Sequence, residues 1–315
     1  MLDLTEISGR RQGWEPLAER LAGVNSWDSG ALNSSDAATC GVKILNYTFG
    51  RFSVCVSGLP IRTDGKAKQR PLALLKAIIA LGGRDIAANQ LWECLWPDSD
   101  GDLGARNLAV TLHRLRELLG ASAAVRLHDG KLTLNDRICW VDIWSFERWV
   151  NEGIARVDAH PEDEDGLALL HRAFALYRGH FLSCETEEHW MLAPRLKLKA
   201  KFERLVSALL DRLERQKRYA EAAGICLMAL ERDPLNELLY RRLMRCHLSV
   251  YEFSSVMRTY RQCLEALHKG FGVQPSGETQ RIYLDAVRAA VRSDEVPVPM
   301  PRLPHLPRLP IRELR

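Results

Sequence analysis

The stretch Asp98–Gly120, DSDGDLGARNLAVTLHRLRELLG, constrains the chain more than any other. Leu108, Leu112, Leu115 and Leu119 recur at spacings of four, three and four, so at about 100° per residue they share one stripe of a helix. Asp100 or Asp102 suits its start, because a short carboxylate accepts from free first-turn N–H groups, and Gly120 supplies a stop. In the same projection Arg106, Val110, His113 and Arg114 point away from the leucines, with Asn107 and Thr111 on one shoulder and Arg116 on the other. A helix over 103–119, docked by its leucines, therefore turns a cationic face outward. That face suits the DNA major groove, where Arg reads guanine or phosphate, Asn reads adenine and Val packs on a thymine methyl. It suits plain solvent equally well, so the flanking sequence has to decide.

Upstream, YTFGRFSVCVSGLPIR mixes aromatic and β-branched residues with breaks at Gly50 and Gly58, which predicts two or three short antiparallel strands from Ile44. KAKQRPLALLKAIIALGG then predicts a helix from near Pro71 to Gly82-Gly83, with Leu72, Leu75, Ile78 and Ile79 inward and Lys66, Lys68 and Arg70 clustered just before it. NQLWECLWP puts Leu91, Trp92, Leu95 and Trp96 on one side of a short helix closed by Pro97, as core rather than as a ligand cage. Downstream, VRLHDGKLTLN alternates Val125, Leu127, Leu132 and Leu134 around Asp129-Gly130, a hairpin with His128 and Lys131 at its tip, and WVD adds one more strand. Strands, three helices and a hairpin are the order of a winged helix, whose second and third helices form a helix-turn-helix.

The motifs GRFSV, RPLALLKAIIALGG, LWPD, ARN…LHRLRELLG, DGKLTLN and WVDIWSFE together give residues 44–150 a resemblance to the winged-helix domain of bacterial response regulators. The likeness is nearest to the bacterial transcriptional activators, such as the Streptomyces antibiotic regulatory proteins, which join that domain to a helical activator domain. The resemblance implies that Arg106, Val110, Thr111, His113, Arg114 and Arg116 face DNA, with Arg116 left for a backbone phosphate. Asn107 joins them from the helical projection and Lys131 from the wing tip. Two features depart from a strong base reader: the wing offers only His128 and Lys131, with Arg126 nearby, and Leu108-Ala109-Val110 is short and aliphatic. Shape and phosphate contacts then carry much of the selectivity.

Beyond Asn151 the chain reads as helical. PEDEDG leads into a helix through Leu167, Leu170, Ala173 and Phe174, and a long segment from Glu187 to Arg215 turns Leu196, Leu205, Leu209 and Leu213 inward. Tyr219, Ala222, Cys226 and Leu230 recur as Phe253, Val256, Tyr260 and Leu264, each 34 positions later (253 − 219 = 34). That is the period of a tetratricopeptide repeat, whose helix pairs stack because none buries its apolar face alone. YAEAAGICLMALERDPLNELLYRRLM has the helix, Asp-Pro turn and helix of one repeat, and FSSVMRTYRQCLEALHKGFGVQPSGET begins the same way before departing toward a last helix through Ile282 and Val287. YRQCLEAL and FGVQPSGETQRIY resemble the bacterial transcriptional activator domain.

The expected fold class is mainly α: a winged helix-turn-helix domain with small β-hairpins over 42–143, then a tetratricopeptide-like helical domain over 144–292. Residues 1–41 are read as an extension in which EPLAERLAG makes a turn or two of helix, and 293–315 as a Pro/Arg-rich tail with polyproline II as its default. A chain of 315 residues with 46% hydrophobic residues has room for two cores. The net charge of +4 permits nucleic acid without requiring it. The apolar run from Leu72 to Leu81 is far short of the roughly 20 residues that cross a bilayer, no secretory pattern opens the chain, and the eight scattered cysteines read as reduced cytoplasmic thiols.

No catalytic constellation, cofactor motif or metal-ligand spacing emerges. Asp98, Asp100 and Asp102 mimic a calcium loop, but Leu103 and Ala109 stand where its glycine and glutamate belong. There is no GxxxxGK[ST] phosphate loop. The expectation is a non-enzymatic, cytoplasmic regulator that binds double-stranded DNA and touches RNA polymerase and, as a homodimer or as side-by-side protomers on direct repeats, itself. The polymerase and direct-repeat partners follow from the resemblance alone. The alternative is a repeat-type interaction adaptor whose winged helix only docks, recognisable by an acidic or apolar face in place of Arg106, His113 and Arg114. A small-molecule receptor using the repeat groove is compatible with either.

Overall fold

The computed structural model describes residues 43–62 and 65–292; the expected helix in EPLAERLAG, the N-terminal extension and the proline-rich tail lie outside them. Among the described residues are seven short strands and ten α-helices. They fall into two compact units, one through Pro234 and one from Leu235.

The first unit opens with β1 (Ile44–Tyr47), β2 (Ser53–Val56) and β3 (Leu59–Pro60), an antiparallel meander. Gly50 and Gly58 turn with positive φ, where a side chain is strained. β7 (Cys139–Val141) joins the far edge parallel to β1, giving the order β3-β2-β1-β7. Helices α1 (Lys66–Ala80), α2 (Ala88–Leu95) and α3 (Gly101–Leu118) follow, then the hairpin β5 (Val125–His128) and β6 (Lys131–Leu134). The sequence pattern misses β4 (Ile86–Ala87), two residues that pair with Leu132 and Lys131 and make the wing three-stranded. So short a strand has no period to detect.

Helix α1 begins at Lys66, not near Pro71, so Lys66, Lys68 and Arg70 lie inside its first turns and Pro71 is within it. As the sixth residue of the helix, Pro71 removes the hydrogen bond that Ala67's carbonyl would accept and crowds that carbonyl with its ring. At the other end the stop is as read: Gly82 N–H donates to Ile79 O and Gly83 N–H to Ile78 O, both glycines having positive φ. Leu72, Leu75, Ile78 and Ile79 are all buried.

Four further helices belong to this unit: α4 (Asp142–Ala159), α5 (Glu164–Leu176), α6 (Leu192–Arg215) and α7 (Tyr219–Arg232). Helices α4 and α5 meet through glycines. A Cβ at Gly153 would lie 3.0 Å from Gly166 O and one at Gly166 would lie 3.3 Å from Gly153 O, so the backbones touch. The sheet is sewn to these helices rather than separated from them. Phe49 bridges to Phe181, Gly50 N–H donates to His180 O, and the Phe49 ring packs on Phe146 and Tyr177. Tyr177 in turn stacks on Phe202 at 4.0 Å. Asp142, at the first turn of α4, accepts from Thr48 N–H (2.5 Å), Thr48 Oγ1 (2.6 Å), Phe49 N–H (2.9 Å) and its neighbour Ile143 N–H (2.9 Å). Of the leucines expected inward on α6, Leu205, Leu209 and Leu213 are buried, but Leu196 is exposed, because at about 100° per residue it lies on the opposite side of the helix from Leu205, where Leu198 takes the buried place.

The second unit holds α8 (Glu237–Ser249), α9 (Phe253–Phe271) and α10 (Gly277–Arg292) around Met244, Phe253, Val256, Ala286 and Ala290. Tyr260 stacks on Tyr283 at 4.3 Å. Glu237 accepts from Ser276 N–H and Oγ and from Thr279 Oγ1, tying the start of α8 to the start of α10. The 34-residue period is visible in helix starts, since α7 opens on Tyr219 and α9 on Phe253. It is lost afterwards because α9 runs 19 residues against the 14 of α7. Among the described residues no helix is long and apolar enough to cross a membrane.

Candidate nucleic-acid interface

Helix α3 carries the residues the sequence singles out. Asp100 caps it, its carboxylate accepting from Leu103 N–H at 2.8 Å, while Asp102 lies in the first turn. Gly120 ends it with φ of 62°, its N–H donating to Glu117 O and Ala121 N–H to Arg116 O. The helix starts two residues before the expected Leu103, because Asp100 is the cap that is used. Leu108, Leu112, Leu115 and Leu119 are buried, as their stripe requires.

The opposite face is exposed. Arg106, Val110, His113 and Arg114 all stand in solvent, and Val110 keeps 51% of its surface exposed in the middle of them. Arg106 and Arg114 have no hydrogen bond or ion pair among the described residues. His113 Nε2 lies 3.3 Å from Glu117 Oε1, one turn on, so a carboxylate borders this face at its C-terminal end. Asn107 is half-buried on the shoulder.

Two expected members stand elsewhere. Thr111 is 7% exposed and faces the core, because the partners of α3 cover an arc wider than the leucine stripe alone. Arg116 is half-buried, and its Nε and Nη2 both donate to Val125 O, at 3.0 and 2.7 Å. The projection places Arg116 on a shoulder and the resemblance leaves it for a phosphate; here two of its N–H groups go to the carbonyl at the root of the wing.

The helix-turn-helix is set by a close approach. A Cβ at Gly104 would lie 2.9 Å from Trp92 Cγ, so α3 lies against the α2 indole at van der Waals distance. Trp92 and Trp96 are half-buried while Leu91 and Leu95 are buried, which agrees with core packing. The wing turns through Asp129 and Gly130, both with positive φ, between the paired residues His128 and Lys131. Lys131 is exposed at its tip, and Arg126 and His128 are exposed beside it; His128 Nε2 lies 3.2 Å from Asp129 Oδ2. Leu127, expected inward, is 49% exposed, because one side of this short hairpin extends past the core that holds Val125, Leu132 and Leu134. Missed in the sequence were the Gly104 contact and the Arg116 bond. A glycine inside an amphipathic helix was the one available signal for the first.

Comparison with known proteins adds a domain match and a fold. Residues 141–286 match the family model described as "Bacterial transcriptional activator domain". Among solved structures the chain is similar to Mycobacterium tuberculosis EmbR in complex with a low affinity phosphopeptide, with a TM-score of 0.59 at 17% sequence identity, over 80% of this chain and 68% of that one. At that identity the likeness is one of fold: a winged helix followed by the helical activator domain. No curated protein matches the chain.

Proposed function

From the premise that this chain carries a bacterial transcriptional activator domain over residues 141–286, we propose that it is a sequence-specific, double-stranded-DNA-binding regulator of transcription, and an activator. The observation that supports this most is the face of α3: two arginines without a partner among the described residues, around an exposed valine, on a helix held down by four buried leucines. Arg106 and Arg114 meet guanine edges or phosphates, Val110 a thymine methyl, and His113 and Asn107 the flanking bases. Lys131 reaches the backbone beside them. The acidic or apolar face that an interaction adaptor would show is not what these positions carry.

Residues 42–143 form the reading domain and 144–292 the domain that contacts RNA polymerase and a second protomer on direct repeats. Residues 1–41 and 293–315 flank them. The chain acts in the cytoplasm and without catalysis. Selection of genomic fragments by the full-length purified protein tests the reading: enrichment of a common motif at physiological salt is the expected result, and recovery of fragments without any shared sequence defeats it.

A further inference from the structure

The wing is fastened on two sides. On one side Ala88 N–H, at the first residue of α2, donates to Gly130 O at 2.8 Å, and β4 pairs with β6 so that Ala87 lies opposite Lys131. On the other, Arg116 near the end of α3 gives both Nε and Nη2 to the carbonyl of Val125, the first residue of β5. Val125 itself is buried, so the carbonyl marks a fixed point in the core rather than a loose loop. A guanidinium offers two donors in one rigid plane, and two bonds to one oxygen fix direction as well as distance.

We propose that Arg116 is a positioning residue, one that sets the wing against α3 so that Lys131 and the Arg106/Arg114 face address a single duplex at a constant spacing. This rests on the DNA-binding reading above and gives Arg116 a part other than the phosphate contact expected from its place on the helix. Its half-buried guanidinium is already engaged, whereas Arg106 and Arg114 are exposed and have no partner among the described residues. The charge stays near the duplex, but two of the five N–H donors are held by the protein.

Two substitutions separate the roles. Arg116→Lys keeps the charge and loses the two-nitrogen edge; Arg116→Met keeps the stem and loses all donors. Each is made in the full chain and in a Lys131→Ala background, with a duplex selected by the unsubstituted protein from a randomised pool as the probe. A positioning role predicts that both variants bind about tenfold more weakly. Hydroxyl-radical protection then fails only on the flank under the wing, and neither variant adds further loss once Lys131 is Ala. Near-parental binding by Arg116→Lys, with an Arg116→Met loss that adds in full to Lys131→Ala and lowers the salt slope by a further unit, overturns it in favour of a direct phosphate contact. An Arg116→Lys chain that loses its cooperative thermal transition overturns it too, since Arg116 would then serve the fold at large. If the unsubstituted protein binds no duplex, the DNA-binding reading fails and takes this inference with it; additive losses in a protein that does bind defeat only the inference.

Discussion

Gly104 of α3 rests against the indole of Trp92 on α2, where an added Cβ would come within 2.9 Å of Cγ and 3.0 Å of Cδ1. Both atoms belong to a rigid ring system, so neither yields cheaply. Gly104→Ala gains about 1 kcal/mol of helix propensity, but overpacking costs about 1–3 kcal/mol. The expected net effect is loss of stability, larger for Gly104→Val, with DNA affinity falling because the helix-turn-helix angle opens. Urea titration of both variants measures it; a higher midpoint for Gly104→Ala would show that the contact is slack.

Asp142 is buried and receives four hydrogen bonds from Thr48, Phe49 and Ile143. Burial outweighs those bonds and pushes its carboxyl from the usual 3.8 up to about 6. A proton held more tightly in the folded chain than in the unfolded one stabilises at low pH: this contribution is complete below about 4 and is lost as pH rises through about 6. Asp142→Asn presents one acceptor and an amide N–H₂ to the same donors, and should cost about 1–3 kcal/mol. The parent's advantage over Asp142→Asn should be greater at pH 4.5 than at pH 7, on the order of 2 kcal/mol greater. Chemical denaturation at both pH values checks the sign; an advantage that shrinks on acidification contradicts it.

How much of this the sequence revealed depends on whether a residue's fate is decided within its own helix or strand. The leucine stripe of α3, its Asp100 cap and its Gly120 stop are local, and each stands where the pattern put it. Thr111 and Arg116 are shoulder positions, and their fate depends on how far neighbouring elements wrap around α3. Leu127 fails for the converse reason, continuing an apolar alternation beyond the point where its partner surface ends, and Leu196 fails because it stands about half a turn around α6 from the buried Leu205. The Phe49 packing on Phe146 and Tyr177, which joins sheet to helices, spans 97 and 128 residues (146 − 49 and 177 − 49) and leaves no periodic trace.

The thiols give an independent check on packing. Cys139, Cys226, Cys246 and Cys263 are buried, and Cys184 is exposed. Burial raises Cys139 and Cys263 to about 12, so near neutral pH their thiolate fraction is on the order of a thousandfold below that of an ordinary thiol. Among the described cysteines, Cys184 should be alkylated first under native conditions, followed by the half-buried Cys55 and Cys94. Time-resolved alkylation read by mass spectrometry orders them; early modification of Cys139 would contradict the packing under the wing.

The most direct measurement of the account is the salt dependence of duplex binding for the parent and for Arg106→Ala/Arg114→Ala, on a duplex the parent selects. The pair should lose about 2–6 kcal/mol of binding, with a shallower slope of log affinity against log salt by about one unit for each arginine that meets phosphate. Equal affinity and equal slope for the two proteins would remove this face of α3 from DNA and with it the proposed function.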